Sequence, residues 1–81
     1  MDILIVDDDK ELSQIISEML EDYGYKVTLA DCAEKAFRLL TSGNFHIILL
    51  DINLPDATGF ELCAELRRVS DTPIIFASAR T

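Results

Sequence analysis

Aspartates stand at the ends of two apolar runs, where their carboxylates could hold a divalent cation beside a phosphoryl group. Asp51 follows the run 47–50, and the pair Asp7 and Asp8 follows the run 3–6. An unbroken apolar run is typical of a strand buried on both faces of a parallel sheet. Because such sheets bind ligands outside the carboxyl ends of their strands, we expect these aspartates to meet at one edge.

The donor atoms of this cluster indicate which ion would suit it. Two carboxylates about 4 Å apart repel by roughly 4 kcal/mol at an effective dielectric of 20, so one stays protonated or a cation lies between them. A few hard oxygen ligands with room for water favour Mg²⁺ over zinc. Helix capping is the alternative for a single residue, by Asp8 with Glu11 or by Asp9. For Asp7 and Asp8 together with Asp51, we favour a metal site.

The elements that must position these residues alternate along the chain, which indicates right-handed crossovers and a doubly wound parallel α/β sheet. A serine, Ser78, follows the last apolar run and could hydrogen-bond a phosphoryl oxygen, with an ordinary solvated serine as the alternative. We predict strands at 2–6, 26–30, 46–50 and 74–77, a first helix at 9–22, a second ended by 42–44, and a third packing Leu62, Cys63, Leu66 and Val69.

The helices carry recognisable packing and capping patterns. Gly24 is expected as a left-handed cap after the first helix. Capping boxes are predicted for the second helix, from Asp31 and Glu34, and for the third, from Thr58 and Glu61. The positions of the first helix expected to pack inward are Leu12, Ile15, Ile16, Met19 and Leu20.

Size and charge limit the possible functions. With 81 residues the chain makes one small domain, and seven basic against fifteen acidic residues give a net charge of −8. Such a charge argues against direct binding of nucleic acid or anionic lipid. Neither a signal peptide nor an apolar stretch of bilayer-spanning length is present in the sequence, so we expect a cytoplasmic protein.

Together these residues resemble the receiver domain of two-component response regulators. The resemblance covers 1–81 and is carried by 3–8, by 49–55 with Gly59, and by 73–79. It implies the flavodoxin-like receiver fold. It also implies a role in phosphorelay signalling and transcription regulation, with no enzyme activity beyond the receiver's own phosphorylation and dephosphorylation.

The resemblance also implies a role for each site residue. Asp51 matches the phosphoacceptor, and Asp7 and Asp8 match the acidic pair that binds Mg²⁺ with Asp51. Asn53 would give its backbone carbonyl to the metal, and Ser78 matches the switch hydroxyl. The implied donor is a phosphohistidine on a sensor histidine kinase.

The chain departs from the family in its number of elements. The family fold has five strands and five helices, and we count four and three, so 1–81 is expected to be the N-terminal two-thirds of a receiver. It would be either a piece cut from a longer regulator, which we favour, or a naturally short relic. The family's lysine after the fifth strand would then be missing, and phosphorylation of this chain alone should be weak. The strand 74–77 would be an open edge, which favours a homodimer or swapped oligomer.

Two other functions remain open on the sequence. One is a Mg²⁺-dependent phosphohydrolase of the haloacid dehalogenase type, with Asp7 and Asp9 as its D-x-D motif and Ser78 as its later hydroxyl. Glu11 stands where that motif needs Thr or Val, and Asp51 would have no role. The other is an oligomerising fragment that no longer takes phosphate.

Overall fold

Four parallel strands form the centre of the fold in a computed structural model that describes residues 1–77. The strands are β1 Asp2–Val6, β2 Lys26–Ala30, β3 Ile47–Leu50 and β4 Ile74–Phe76, and the helices are α1 Lys10–Asp22, α2 Ala33–Ser42 and α3 Gly59–Leu66. The sheet order is β2-β1-β3-β4, with every pair parallel. The predicted doubly wound α/β fold is therefore confirmed, with strand bounds within one residue of the prediction.

The main core lies on the face of the sheet covered by α2 and α3. Leu4 and Val6 of β1 stand opposite Ile48 and Leu50 of β3 in the ladder, and all four side chains are fully buried. The helices cover them with small and branched residues, namely Ala33, Ala36, Leu40, Leu62 and Leu66. Because right-handed crossovers toward opposite edges place helices on opposite faces, α1 lies on the other side of the sheet.

Two of the five positions of α1 that were expected to pack inward are exposed, and the other three are partly buried as predicted. Ser13 and Ser17 are buried, whereas Ile15 and Met19 are 55% and 59% exposed, so the expectation that these two pack inward was wrong. Residues 15 and 19 lie two positions after the serines, or about 200° around the helix. The small serines let α1 approach the sheet closely on that side, and the two large apolar side chains face away.

Both ends of α1 are capped by residues that the sequence analysis named as candidate caps. Asp9 caps α1, since its Oδ1 accepts the Leu12 N–H at 3.1 Å. Gly24, with φ of 91°, lies beyond the last turn, and the Tyr25 N–H donates to the Leu20 carbonyl at 3.2 Å. This is the bonding of a Schellman cap, so the prediction for Gly24 is confirmed.

The capping box of α3 is confirmed, and the box predicted for α2 is wrong. Thr58 and Glu61 exchange bonds of 2.9 and 3.1 Å at the start of α3. Asp31 instead pairs with Lys35 at 3.0 Å, and the N-cap of α2 is Cys32, which makes no side-chain cap bond.

Two further predictions concern residues that follow α3 in the sequence. The prediction that Val69 packs with the third helix was wrong, because Val69 lies beyond α3 and is exposed. Ser78, predicted to follow the fourth strand, falls outside the described residues. No helix within residues 1–77 is both long and apolar enough to cross a bilayer.

Candidate functional site

The two strands that carry the aspartates are neighbours in the sheet. The Asp51 N–H donates to the Val6 carbonyl at 2.9 Å, which places Asp51 just beyond the end of β1. On the other side of β1, the Asp7 N–H donates to the Ala30 carbonyl at 3.0 Å and extends the ladder with β2. From β1 the chain runs to β2 on one side and later returns to β3 on the other. This is the switch point where open parallel sheets bind ligands.

Three carboxylates meet at that point. Asp7, Asp8 and Asp51 each offer one oxygen, and these oxygens all lie within 4.8 Å of one another. Two charges 4.8 Å apart repel by about 3.5 kcal/mol at an effective dielectric of 20. Asp9 stays outside the cluster because its carboxylate caps α1. The sequence left capping and metal binding open for these residues. In the structure Asp9 caps α1, and Asp7, Asp8 and Asp51 form the cluster.

The environment of Asp7 shows that the cluster favours positive charge. Burial raises the pKa of Asp7 above its ordinary value, and the nearby charges of Asp51, Asp8 and Asp9 raise it further. The Asp9 N–H, which donates to Asp7 Oδ1 at 2.9 Å, acts in the opposite direction and does not cancel the rise in the pKa. A half-buried carboxylate with two others beside it is stabilised by a cation. The hard oxygen donors and the one exposed side, at Asp8, fit Mg²⁺ with bound water.

The loop after Asp51 is short and closed by its own backbone. Asn53 and Thr58 form an antiparallel bridge, and the Leu54 N–H donates to the Ala57 carbonyl at 3.1 Å. The backbone of Asn53 therefore has a fixed course two residues beyond Asp51. The role that the resemblance implies for Asn53, lending its carbonyl to the metal, stays a prediction.

Two residues of this loop have roles that the sequence analysis missed. Gly59 packs so closely on the residues directly after β3 that a Cβ there would collide with the Asp51 carbonyl oxygen and lie 3.0 Å from the Ile52 Cα. Its place directly after the Thr58 cap could have indicated a helix start pressed against another element. Asp56 bonds the backbone of α2, far away in sequence. No pattern of neighbouring residues in the sequence predicts that contact.

Comparison with known proteins defines the class. The family model described as response regulator receiver domain matches residues 3–81. The uncharacterized transcriptional regulatory protein YvcP of Bacillus subtilis is 39% identical over 79 residues, which cover 98% of this chain and 33% of YvcP. The chain spans about a third of the length of the curated relatives it matches.

Solved structures agree with this match. TrrA of Thermotoga maritima, in complex with Mg²⁺–BeF, is 32% identical with a TM-score of 0.91, and the match covers 99% of this chain and 70% of TrrA. The complex of histidine kinase ThkA with TrrA matches with the same TM-score, at 33% identity and the same coverage.

The chain belongs to the response regulator receiver domain family. The predicted resemblance is thereby confirmed, including the flavodoxin-like receiver fold. The phosphohydrolase interpretation was wrong, because Asp9, the second aspartate of its motif, caps a helix, while Asp51, which it left without a role, joins the acidic cluster.

Proposed function

We propose that this chain is the phosphoacceptor receiver of a two-component response regulator and that Asp51 accepts the phosphoryl group. The observation that carries this proposal is the meeting of the Asp51, Asp7 and Asp8 oxygens within 4.8 Å at the edge between β1 and β3. The matched structures support it, since TrrA was crystallised with Mg²⁺–BeF and also with the histidine kinase ThkA. The proposed donor is accordingly a phosphohistidine of a sensor histidine kinase.

The chemistry needs a nucleophile and neutralisation of charge, and the cluster offers both. An Asp51 carboxylate oxygen attacks the phosphorus, the P–N bond of the phosphohistidine breaks, and the imidazole leaves with the bonding electron pair. Asp7, Asp8 and Asp51, with the Asn53 carbonyl, are the proposed ligands of Mg²⁺, which when bound neutralises charge on the phosphoryl oxygens. The Ser78 hydroxyl, outside the described residues, is proposed to donate to a phosphoryl oxygen once Asp51 is modified.

Labelling with a small phosphodonor tests this function without the kinase. The regulator that contains this chain is incubated with acetyl phosphate and Mg²⁺, and the phosphorylated fraction is read on a gel that retards phosphoproteins. We expect label on the wild type and none on Asp51→Asn. The control Asp22→Asn removes the same charge from the end of α1 and should label like the wild type. Equal labelling of Asp51→Asn and the control would refute the proposal.

We also propose that the 81-residue chain associates with a second copy of itself. Within residues 1–77, β4 pairs only with β3, so its other edge is open, and Ile75 and Phe76 are 52% and 40% exposed. Together with the exposed Ile15 and Met19, these side chains leave apolar surface that pairing or exchange of elements would bury. Light scattering at micromolar concentration should give a dimer mass. A monomeric mass with cooperative unfolding would contradict this.

The proposed kinase partner and the net charge of the chain indicate where the protein acts and what it does not bind. We place the protein in the cytoplasm, where a sensor kinase would present its phosphohistidine. The net charge of −8 gives this segment no electrostatic attraction for nucleic acid, so contact with DNA is assigned to other parts of a regulator.

A further inference from the structure

The start of α2 takes its cap from a distant part of the chain. Cys32 occupies the N-cap position without a side-chain bond. The Ala33 N–H donates to Asp56 Oδ1 at 2.8 Å, and the Glu34 N–H donates to Asp56 Oδ2 at 3.0 Å. The two residues lie 23 and 22 positions away from Asp56 in sequence. One carboxylate therefore satisfies two successive amides that would otherwise lack a partner within their own helix.

Asp56 belongs to the loop that follows the phosphoacceptor. The two ends of this loop are joined to each other by the bridge between Asn53 and Thr58 and by the bond from the Gly59 N–H to the Ile52 carbonyl at 2.6 Å. Such a closed loop moves as one piece. Its tip is tied to α2 through Asp56, so the loop that carries the Asn53 backbone has a second anchor besides its own closure.

We propose that Asp56 is a positioning residue of the metal centre: by fastening the loop to α2 it holds the Asn53 carbonyl where a divalent cation bound by Asp7, Asp8 and Asp51 can reach it. This inference rests on the proposed function and adds a residue that makes no contact with the ion. Its consequence is that Mg²⁺ affinity depends on a side chain that lies outside the acidic cluster.

The geometry requires a carboxylate at this position. Two N–H donors meet two oxygens, and the helix N-terminus favours negative charge. An asparagine has one oxygen, and its NH₂ group would face a donor, so Asp56→Asn retains one of the two bonds. Asp56→Ala retains neither. The two substitutions should therefore form a graded series.

A residue that merely capped α2 would lower stability and leave the Mg²⁺ affinity of the folded protein unchanged. Titration of Mg²⁺ into folded protein separates the two roles, with isothermal calorimetry well below the unfolding midpoint as the measurement and circular dichroism to show that each variant is folded. Asp31→Asn is the matched control, because it removes one charge at the same helix end, breaks the 3.0 Å pair with Lys35, and leaves both Asp56 bonds in place.

We expect the wild type and Asp31→Asn to bind Mg²⁺ with dissociation constants within about twofold, because surface ion pairs contribute little. Asp56→Ala should bind about tenfold more weakly, as groups that orient metal ligands do when removed, with Asp56→Asn in between. If Asp56→Ala does not fold, Asp56→Asn supplies the result. Binding by the Asp56 variants equal to that of Asp31→Asn would overturn the inference alone. Absence of Mg²⁺ binding in the wild type would overturn the proposed function.

Discussion

Replacing Gly59 by alanine should push the helix α3 away from Asp51 and Ile52, which directly follow β3. The new Cβ would collide with the Asp51 carbonyl oxygen and lie 3.0 Å from the Ile52 Cα, and both atoms belong to backbone that no rotamer change can move. The Gly59 N–H also donates to the Ile52 carbonyl at 2.6 Å, so a shift of α3 weakens that bond as well. Asp51 would lose its present position relative to Asp7.

The expected loss of stability follows from two opposing effects. Overpacking of this kind costs about 1–3 kcal/mol. Alanine is up to about 1 kcal/mol better than glycine within a helix, but less at the first helical position. We therefore expect the free energy of unfolding to fall by about 2 kcal/mol, which lowers the midpoint by roughly 8–16 °C in a domain of this size.

Two other glycines provide matched controls, and thermal unfolding followed by circular dichroism is the assay. Gly43 has only ordinary neighbours, the Leu39 carbonyl oxygen at 3.4 Å and the Phe45 ring at 3.8 Å, so Gly43→Ala should change stability by less than about 0.5 kcal/mol. Gly24 has open space but a φ of +91°, so Gly24→Ala should cost about 1–2 kcal/mol through strain. The reasoning fails if the unfolding midpoint of Gly59→Ala is as high as that of Gly43→Ala.

Three further outcomes are expected. Mg²⁺ at ten times its dissociation constant should stabilise the wild type by about 1.4 kcal/mol, and Asp7→Ala should reduce this shift in thermal unfolding. Leu66→Ala should cost about 2–5 kcal/mol in urea unfolding because its side chain is fully buried, and Val69→Ala, at an exposed position, less than about 0.5 kcal/mol. The Ala33 and Glu34 amides lower the pKa of Asp56, so its stabilising contribution is complete above its ordinary value of 3.8 and disappears at lower pH. The urea midpoints of wild type and Asp56→Ala should therefore differ at pH 6 and converge as the pH falls below that value, and a difference independent of pH would contradict this.

The sheet and the acidic cluster could be predicted because their signals are local. The unbroken runs 3–6 and 47–50 indicate strands buried on both faces, and the strand-helix alternation determines that they are parallel. Aspartates at the ends of two such strands must then share an edge. The structure adds that β1 and β3 are direct neighbours, which brings Asp7 and Asp51 together.

Local patterns were insufficient where a distant residue supplies the partner. The spacing of Asp31 and Glu34 is that of a capping box, yet Asp56 provides a carboxylate with both oxygens in position and leaves Asp31 to pair with Lys35. The spacing of residues within a segment shows which caps that segment could form by itself. The cap at the start of α2 is instead set by a tertiary contact with Asp56.

The packing of α1 shows a second limit of the sequence pattern. Three-and-four spacing placed Ile15 and Met19 on the inner face, but an apolar pattern does not tell which neighbour each side chain meets. Ser13 and Ser17 take the side against the sheet because their size permits close approach. The large apolar residues then remain on a surface that, within residues 1–77, no other element covers.

Identification of the residue that carries the phosphoryl group tests the central proposal most directly. The regulator that contains this chain is phosphorylated with acetyl phosphate and Mg²⁺, the acyl phosphate is reduced with borohydride to homoserine, and the peptides are sequenced by mass spectrometry. We predict homoserine at position 51 alone. Homoserine at position 7, with Asp51 intact, would contradict the assignment of Asp51 as the phosphoacceptor.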